Sequence, residues 1–300
     1  MIYTVTISPA IDYVVHLPSM RDGATNRSTG EEYYFGGKGI YVSVVLHELG
    51  IANKALGFIA GFTGKALDEG LKEQGIDTDF ITLDNGITRI NVKIKAGKET
   101  EINSQGALPQ EKDFALLEEK IHGLARGDIL VLSGSVPAGT PPDLYASFCA
   151  IAEEAGAETV VDTRGEQLMN ALMYEPFLVK PNQTEIREIF GSNITAEEGA
   201  ERLKNAGARN VIVSLGSEGA LMLSEDGSRY KCGTARGKTV NSVGSGDSMV
   251  AGFLAGYLQS HDYDYAIRLG SAAGSATAFS PGLACRKDIM HCLSGISLVQ

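Results

Sequence analysis

"GDILVLSGSVPAGTPPDLYASFCAIAEEAGAETVVDT", residues 127–163, packs a whole structural unit into one stretch. The apolar run Ile129–Leu132 is strand-length, continuous rather than alternating, and ends on small residues. Such a run suits a strand covered on both faces. A proline- and glycine-bearing loop follows, then a helical pattern over residues 141–157, then the second apolar strand "ETVVDT". Strand, helix, strand is the unit of a parallel sheet, because only a crossover can return the chain to run the same way.

The same cadence extends in both directions. "MIYTVTI" reads as an opening strand, "GIYVSVVLHELG" as a helix stopped at Gly50, "ANKALGFIA" as a buried strand and "GKALDEGLKEQGI" as a helix. Downstream, "PFLVKPN" is strand into loop, "QTEIREIFG" and "AEEGAERLKNAGA" are helices, and "RNVIVSLG" is a strand. The expectation is an α/β fold whose mostly parallel sheet carries helices on both faces. One region departs from this. In "ITRINVKIKAGKETEINSQG", Ile90, Val92 and Ile94 alternate with Arg89, Asn91, Lys93 and Lys95, and after a turn at Ala96–Lys98 the residues Glu101 and Asn103 share a face. Together with "IDYVVHL" and "ATNRSTGEEYYF" this predicts a small antiparallel sheet formed from residues 11–35 and 86–105, set beside a core of residues 1–10, 36–85 and 106–300. It reads either as a lid over a polar small molecule or as an edge extension with a solvated face.

Composition narrows the function. The 300 residues carry a formal charge of −11 with no dense basic run, which disfavours a nucleic-acid partner. No apolar run is long enough for a membrane span, and the start lacks a signal-peptide pattern. Cys149, Cys232, Cys285 and Cys292 form no C-x-x-C pair, so reduced thiols in a cytoplasmic protein are expected.

The residues that could carry chemistry follow predicted strands or precede predicted helices. In "NSVGSGDSMVAGF", residues 241–253, Gly244, Ser245 and Gly246 stand before Asp247 and an apolar helix. A bare turn at a helix start directs several amide N–H groups and the positive end of the helix dipole at one point, which stabilises an anion. Asp247 beside it is placed to act as a base, an arrangement suited to phosphoryl transfer; it reads equally as a helix N-cap. "FGGKGIYVS" offers a second glycine turn containing Lys38, able to grip a sugar hydroxyl or phosphate, or simply to connect strand to helix. "VKPNQTE" places Lys180, Asn182 and Glu185 at another strand end, where Glu185 could orient water on Mg²⁺ or act only as a first-turn acid. "VSLGSEGA", with Gly216 and Gly219, suits close contact with a nucleotide or a plain hairpin turn. No G-x-x-x-x-G-K-[ST] motif and no G-x-G-x-x-G after a strand occurs, so the common nucleotide-binding loops are disfavoured.

Taken together, "SPAID", "GGKG", "TRINVK", "TEIN", "SGSVPAG", "KPNQTE", "SLGSEGA" and "VGSGDSMVAGF" resemble the ribokinase-like (PfkB) carbohydrate kinases over nearly the whole chain. The resemblance implies a three-layer α/β/α core with a β lid. It also implies ATP and Mg²⁺ as cofactors, and a ketose phosphate, fructose 1-phosphate first, as acceptor; a tagatose-6-phosphate kinase or another sugar kinase of the family is the alternative, and a catalytically silent sugar-phosphate sensor the non-enzyme one. Carried over by the resemblance, Asp247 is the base and Gly244, Ser245 and Gly246 the anion hole. Asp12 holds sugar hydroxyls, and Gly36, Gly37 and Lys38 line the sugar site. Arg27 and Arg89 meet the substrate's own phosphate, with Glu101 and Asn103 reaching the sugar from the lid. Lys180, Asn182 and Glu185 lie near the ATP phosphates and magnesium, the last through water. Ser214, Leu215, Gly216, Ser217, Glu218 and Gly219 carry the nucleotide, and Ser275 flanks the adenine. A homodimer through the lid is a further expectation. Two positions depart from the family pattern: Ser8 stands where Asn precedes "PAxD", and Tyr41 stands where Asn follows "GGKG" by two residues. Both bear on which sugar is accepted.

Overall fold

A computed structural model describes residues 1–298. The chain opens with β1 (Ile2–Thr6), passes through β2 (Ala10–His16) and β3 (Gly30–Gly36), and returns through α1 (Lys38–Glu48), β4 (Asn53–Ala60) and α2 (Gly61–Glu73). Short strands β5 (Asp77–Thr78) and β6 (Ile81–Leu83) precede the hairpin β7 (Arg89–Ala96) and β8 (Lys98–Ile102). Then come α3 (Glu111–His122), β9 (Ile129–Ser133), α4 (Leu144–Glu154), β10 (Glu158–Asp162), α5 (Gly165–Ala171) and β11 (Leu178–Val179). They are followed by α6 (Gln183–Phe190), α7 (Ala196–Asn205), β12 (Asn210–Ser214), β13 (Ala220–Leu223) and β14 (Arg229–Cys232). Three helices close the chain: α8 (Ser245–Ser260), α9 (Tyr263–Ala278) and α10 (Arg286–Leu293).

The large sheet has the order β14-β13-β12-β11-β10-β9-β1-β4-β5, with β6 paired to β4. It is parallel from β12 to β5, and only the β12–β13–β14 edge is antiparallel. The continuous apolar strands are explained by cover on both faces. Ile129 and Val131 join one buried cluster with Val45 of α1, Phe253 of α8 and Ile267 of α9. Leu130 and Leu132 join the opposite cluster with Leu117 of α3, Phe148 of α4 and Leu203 of α7. Successive residues of one strand thus feed two separate cores, as the two-residue pleat requires. The expected α/β/α layering is present.

The second sheet has the order β3-β2-β7-β8. It is mixed rather than purely antiparallel, since β2 and β7 run parallel, with Asp12 opposite Asn91 and Val14 opposite Lys93. The cause lies in the large sheet: β2 leaves the end of β1, and β7 follows β6, which pairs in parallel with β4, itself parallel to β1. Both strands therefore leave the core in one direction. A second difference concerns "ATNRST". Asn26 accepts from the Arg21 amide (3.0 Å) and donates to the Arg21 carbonyl (2.9 Å), closing a local loop, and β3 starts only at Gly30.

Candidate active site

Helix α8 begins two residues before Asp247. Gly244 is its N-cap, in the left-handed region (φ 79°), so Asp247 is a first-turn residue and not the cap. A left-handed N-cap suits glycine, and this one has no room for a side chain: a Cβ on Gly244 would lie 2.6 Å from Leu283 Cδ2. First-turn amides have no intrahelical acceptor. That of Ser245 reaches the Ser242 carbonyl at 3.3 Å; those of Gly246 and Asp247 follow it in the same turn.

Around this turn stands a compact set of charges that the sequence places far apart. Asp162, the last residue of β10, is 1% exposed, and its Oδ1 lies 3.5 Å from both Lys38 Nζ and Lys180 Nζ. Lys180 is itself buried, and a Cβ on Gly246 would come within 3.1 Å of its ammonium. Burial alone would raise the Asp162 carboxyl, but the two lysines outweigh it and hold the group below the usual range. Asp247, 6% exposed, goes the other way: burial first, then the Asp162 charge, push its carboxyl up to about 7 against the pull of the same lysines. Lys38 is held above its ordinary value, by Asp162 first. Among the described residues eight buried side-chain polar atoms lack a hydrogen-bond partner. Four of them are here, both Asp162 oxygens, Asp247 Oδ1 and Ser245 Oγ, and a fifth, Asn91 Oδ1, belongs to the side chain that bonds Asp12. Buried polar atoms are normally satisfied, so this concentration marks a place built for something else to complete.

A cleft of about 1150 Å³ lies between the small sheet, α2 and the segments near residues 240–243 and 281–283. Asp12 and Tyr41 line it together with Lys93, Lys95, Glu99 and Tyr34. The alternation seen in the sequence is real, but the polar face points inward. Asn91 Nδ2 donates to Asp12 Oδ1 at 2.8 Å, and Lys93 Nζ lies 3.6 Å from Asp12 Oδ2. The Tyr41 hydroxyl donates to Asp12 Oδ2 at 3.0 Å. Gly36 is required here, because a Cβ would stand 2.8 Å from that hydroxyl.

The other side of the α8 turn is bordered by two strand ends. Asn182 caps α6: its Oδ1 accepts from the Glu185 amide (2.9 Å) while Glu185 Oε2 accepts from the Asn182 amide (2.8 Å). Asn182 also bridges to Ser214. Residues 214–219 form the tight turn of the β12–β13 hairpin, closed by the Leu215 amide on the Gly219 carbonyl at 2.8 Å. Ser275 accepts from the Ala235 amide (3.2 Å), and Thr234 donates to the Ser217 carbonyl (3.1 Å), so Ser275 braces the segment that lies against this turn.

A pfkB family carbohydrate kinase profile matches residues 2–288. The chain belongs to the pfkB family of carbohydrate kinases. It is 43% identical, over the full length of both chains, to the 1-phosphofructokinase of Bacillus subtilis. It is 37% identical to the D-tagatose-1-phosphate kinase of Bacillus licheniformis, over 94% of each chain. Phosphofructokinase-2 of Escherichia coli, solved with substrates and products, superposes with a TM-score of 0.91 at 29% identity over 98% of each chain. This pfkB protein is thus a sugar-phosphate kinase; the tagatose kinase it resembles carries the 1-phosphate in its name, not the 6-phosphate.

Within the kinase, the structure gathers Asp247, Gly244, Ser245, Gly246, Lys38 and Lys180 on one side, and Asp12, Gly36 and Gly37 on the other. Asn182, Glu185 and the 214–219 turn border the first group. Four other expected site residues are not among those lining the cleft. Arg27 is exposed in the loop before β3, and Glu101 and Asn103 are exposed on and beyond edge strand β8. Arg89 is half-buried and donates from Nη2 to the Ser8 carbonyl at 3.1 Å. Asp162, Asn91 and Lys93 were not singled out by sequence reasoning, and Tyr41 was noted there only as a departure from the family pattern that bears on the sugar. Asp162 reads only as the end of a strand in "ETVVDT", although its position at a carboxyl-terminal strand edge was the available signal.

Proposed function

We propose that this kinase transfers the γ-phosphoryl group of ATP to fructose 1-phosphate, giving fructose 1,6-bisphosphate and ADP. The observation that carries the reading is Asp247: a buried carboxyl with an unpartnered Oδ1, in the first turn of α8, beside two lysines and the Asp12 cleft. Asp247 takes the proton of the acceptor hydroxyl as the new O–P bond forms and the bond from the γ-phosphorus to the bridging oxygen breaks. The turn at Gly244–Gly246, with Lys180 and Lys38, stabilises the charge gathering on the equatorial phosphoryl oxygens. Asp12 orients the sugar, Arg89 and Arg27 serve the existing phosphate, and Glu101 and Asn103 reach the sugar when the lid is loaded. The 214–219 turn carries the nucleotide, and Ser275 shapes the adenine side.

No cluster of three or more metal-ligating side chains occurs among the described residues. That fits Mg²⁺, which keeps most of its waters and leans on one or two carboxylates and the substrate phosphates. Asp162, with both oxygens free of hydrogen bonds, and Glu185, with one oxygen outside the capping box, are the carboxylates for it. When bound, the ion neutralises phosphate charge. The 1-phosphofructokinase relative at 43% identity favours fructose 1-phosphate, and the tagatose kinase relative supports tagatose 1-phosphate as the second reading. A cytoplasmic homodimer joined through the lid, where Ile102 is exposed, completes the proposal.

Sugar-dependent release of ADP across fructose 1-phosphate, tagatose 1-phosphate, fructose 6-phosphate and unphosphorylated fructose is the test. The highest kcat/KM is expected with fructose 1-phosphate. Equal rates with fructose would defeat a phosphate-recognising site, and no ADP release with any of the four would favour the silent sensor.

A further inference from the structure

We infer that Tyr41 is a specificity-determining residue of the acceptor site, meeting the sugar with a hydroxyl oxygen that can only accept. The inference rests on the reading that the cleft holds a ketose phosphate. Tyr41 lies in the first turns of α1, is 8% exposed, and lines the cleft beside Asp12. Its hydroxyl has one proton, and the 3.0 Å contact with Asp12 Oδ2 uses it. The direction of that bond is set by the surroundings. Asp12 already accepts from Asn91 Nδ2 on its other oxygen and faces the Lys93 ammonium, so the carboxylate is the acceptor and the phenol the donor. Burial and the Asp12 charge hold the phenol far above its ordinary value, so the proton stays on the ring oxygen at every working pH.

What remains on Tyr41 Oη is lone-pair capacity alone. A sugar hydroxyl lying over it must donate. The asparagine of the family pattern would offer a donor and an acceptor at this place; tyrosine offers one sense only. The ring lies close to two glycine turns: a Cβ on Gly36 would be 2.8 Å from its hydroxyl, and a Cβ on Gly244 would be 3.5 Å from its Cδ2, so Tyr41 stands between the root of the lid and the N-cap of α8. The same ring therefore borders the sugar and the turn that meets the phosphoryl group.

The test compares kcat/KM of the enzyme and of Tyr41→Phe, which removes one oxygen, on the ketose phosphate that supports turnover and on its monodeoxy and deoxyfluoro analogues. For one ring position the native enzyme is expected to lose about 3–10-fold on the deoxy analogue, and to reject the deoxyfluoro analogue equally, because fluorine cannot donate. Tyr41→Phe is expected to handle parent and deoxy analogue alike, with the KM for ATP unchanged. Tyr41→Asn, which restores a donor, should favour the deoxyfluoro over the deoxy analogue. Retention of the native discrimination at every position in Tyr41→Phe overturns the inference, as does a native enzyme that prefers deoxyfluoro to deoxy analogues at every position, a result that requires no variant to fold. A native enzyme inactive on every ketose phosphate overturns instead the reading beneath it.

Discussion

Asp247 and Asp162 compete for the same two lysines, and Asp162 wins. Lys38 and Lys180 both stand 3.5 Å from Asp162 Oδ1, which leaves Asp247 with the like charge of Asp162 and little to offset its burial. A base must be ionised to take a proton. With the Asp247 carboxyl near pH 7, activity should rise with pH through that region and fall about tenfold per unit below it; a kcat/KM profile flat from pH 5.5 to 8 would contradict the assignment. Asp162→Asn removes the like charge and leaves the lysines, so the acid limb of the residual activity should move to lower pH. Asp247→Asn should retain ATP binding, seen as thermal stabilisation, while kcat falls by a factor on the order of 10²–10⁴. Arg89→Ala adds a check on the substrate: it should weaken a phosphorylated ketose far more than its unphosphorylated parent, whereas equal losses would leave Arg89 as a brace for the Ser8 carbonyl alone.

At the scale of elements, the aim of α8 depends on how closely it lies against α9. Four glycines form the seam: a Cβ on Gly252 would come within 2.6 Å of the Leu269 carbonyl oxygen and one on Gly256 within 2.8 Å of Ala266 Cα. From the other helix, a Cβ on Gly270 would stand 2.9 Å from the Met249 carbonyl oxygen and one on Gly274 3.0 Å from that of Ser245. Gly252→Val should destabilise by about 1–3 kcal/mol through overpacking, read as a lower urea midpoint, and should lower kcat as the first turn shifts. The parallel layers were legible in the chain because runs such as "ILVL" and "VIV" are apolar on both faces. The α8 turn was legible as a helix start because glycine, serine, glycine and aspartate stand directly before an apolar helical run. The mixed pairing of the small sheet was not, since alternation along β7 gives its two faces and says nothing about the direction of β2. The Asp162 cluster was hidden for a related reason: its partners come from α1 and the end of β11, and only the assembled sheet makes them neighbours. The place of Arg27 was not legible, because a lone arginine in a polar loop carries no local signal of where the loop ends up.

For the molecule as a whole, the small sheet turns Asp12, Lys93 and Lys95 to the cleft and leaves Ile102, on the opposite face of edge strand β8, 55% exposed. If a second copy covers that face, light scattering should give twice the 31.8 kDa chain mass, and Ile102→Lys should return the monomer; a native monomer at micromolar concentration would dismiss the dimer. The four joins between lid and core, β1 to β2, β3 to α1, β6 to β7 and β8 to α3, have a mechanical consequence. A flap on one pivot can fall open; a plate clamped at four points can only flex. Asp12 and Asn91 sit close to the clamps, so the groups that grasp the sugar keep station over the phosphoryl site while the far rim, β8 and the loop before β3, does the bending. Amide exchange should be slow near the clamps and fast at the rim, and admission of the sugar becomes a matter of shape at a nearly rigid mouth rather than of a swinging gate.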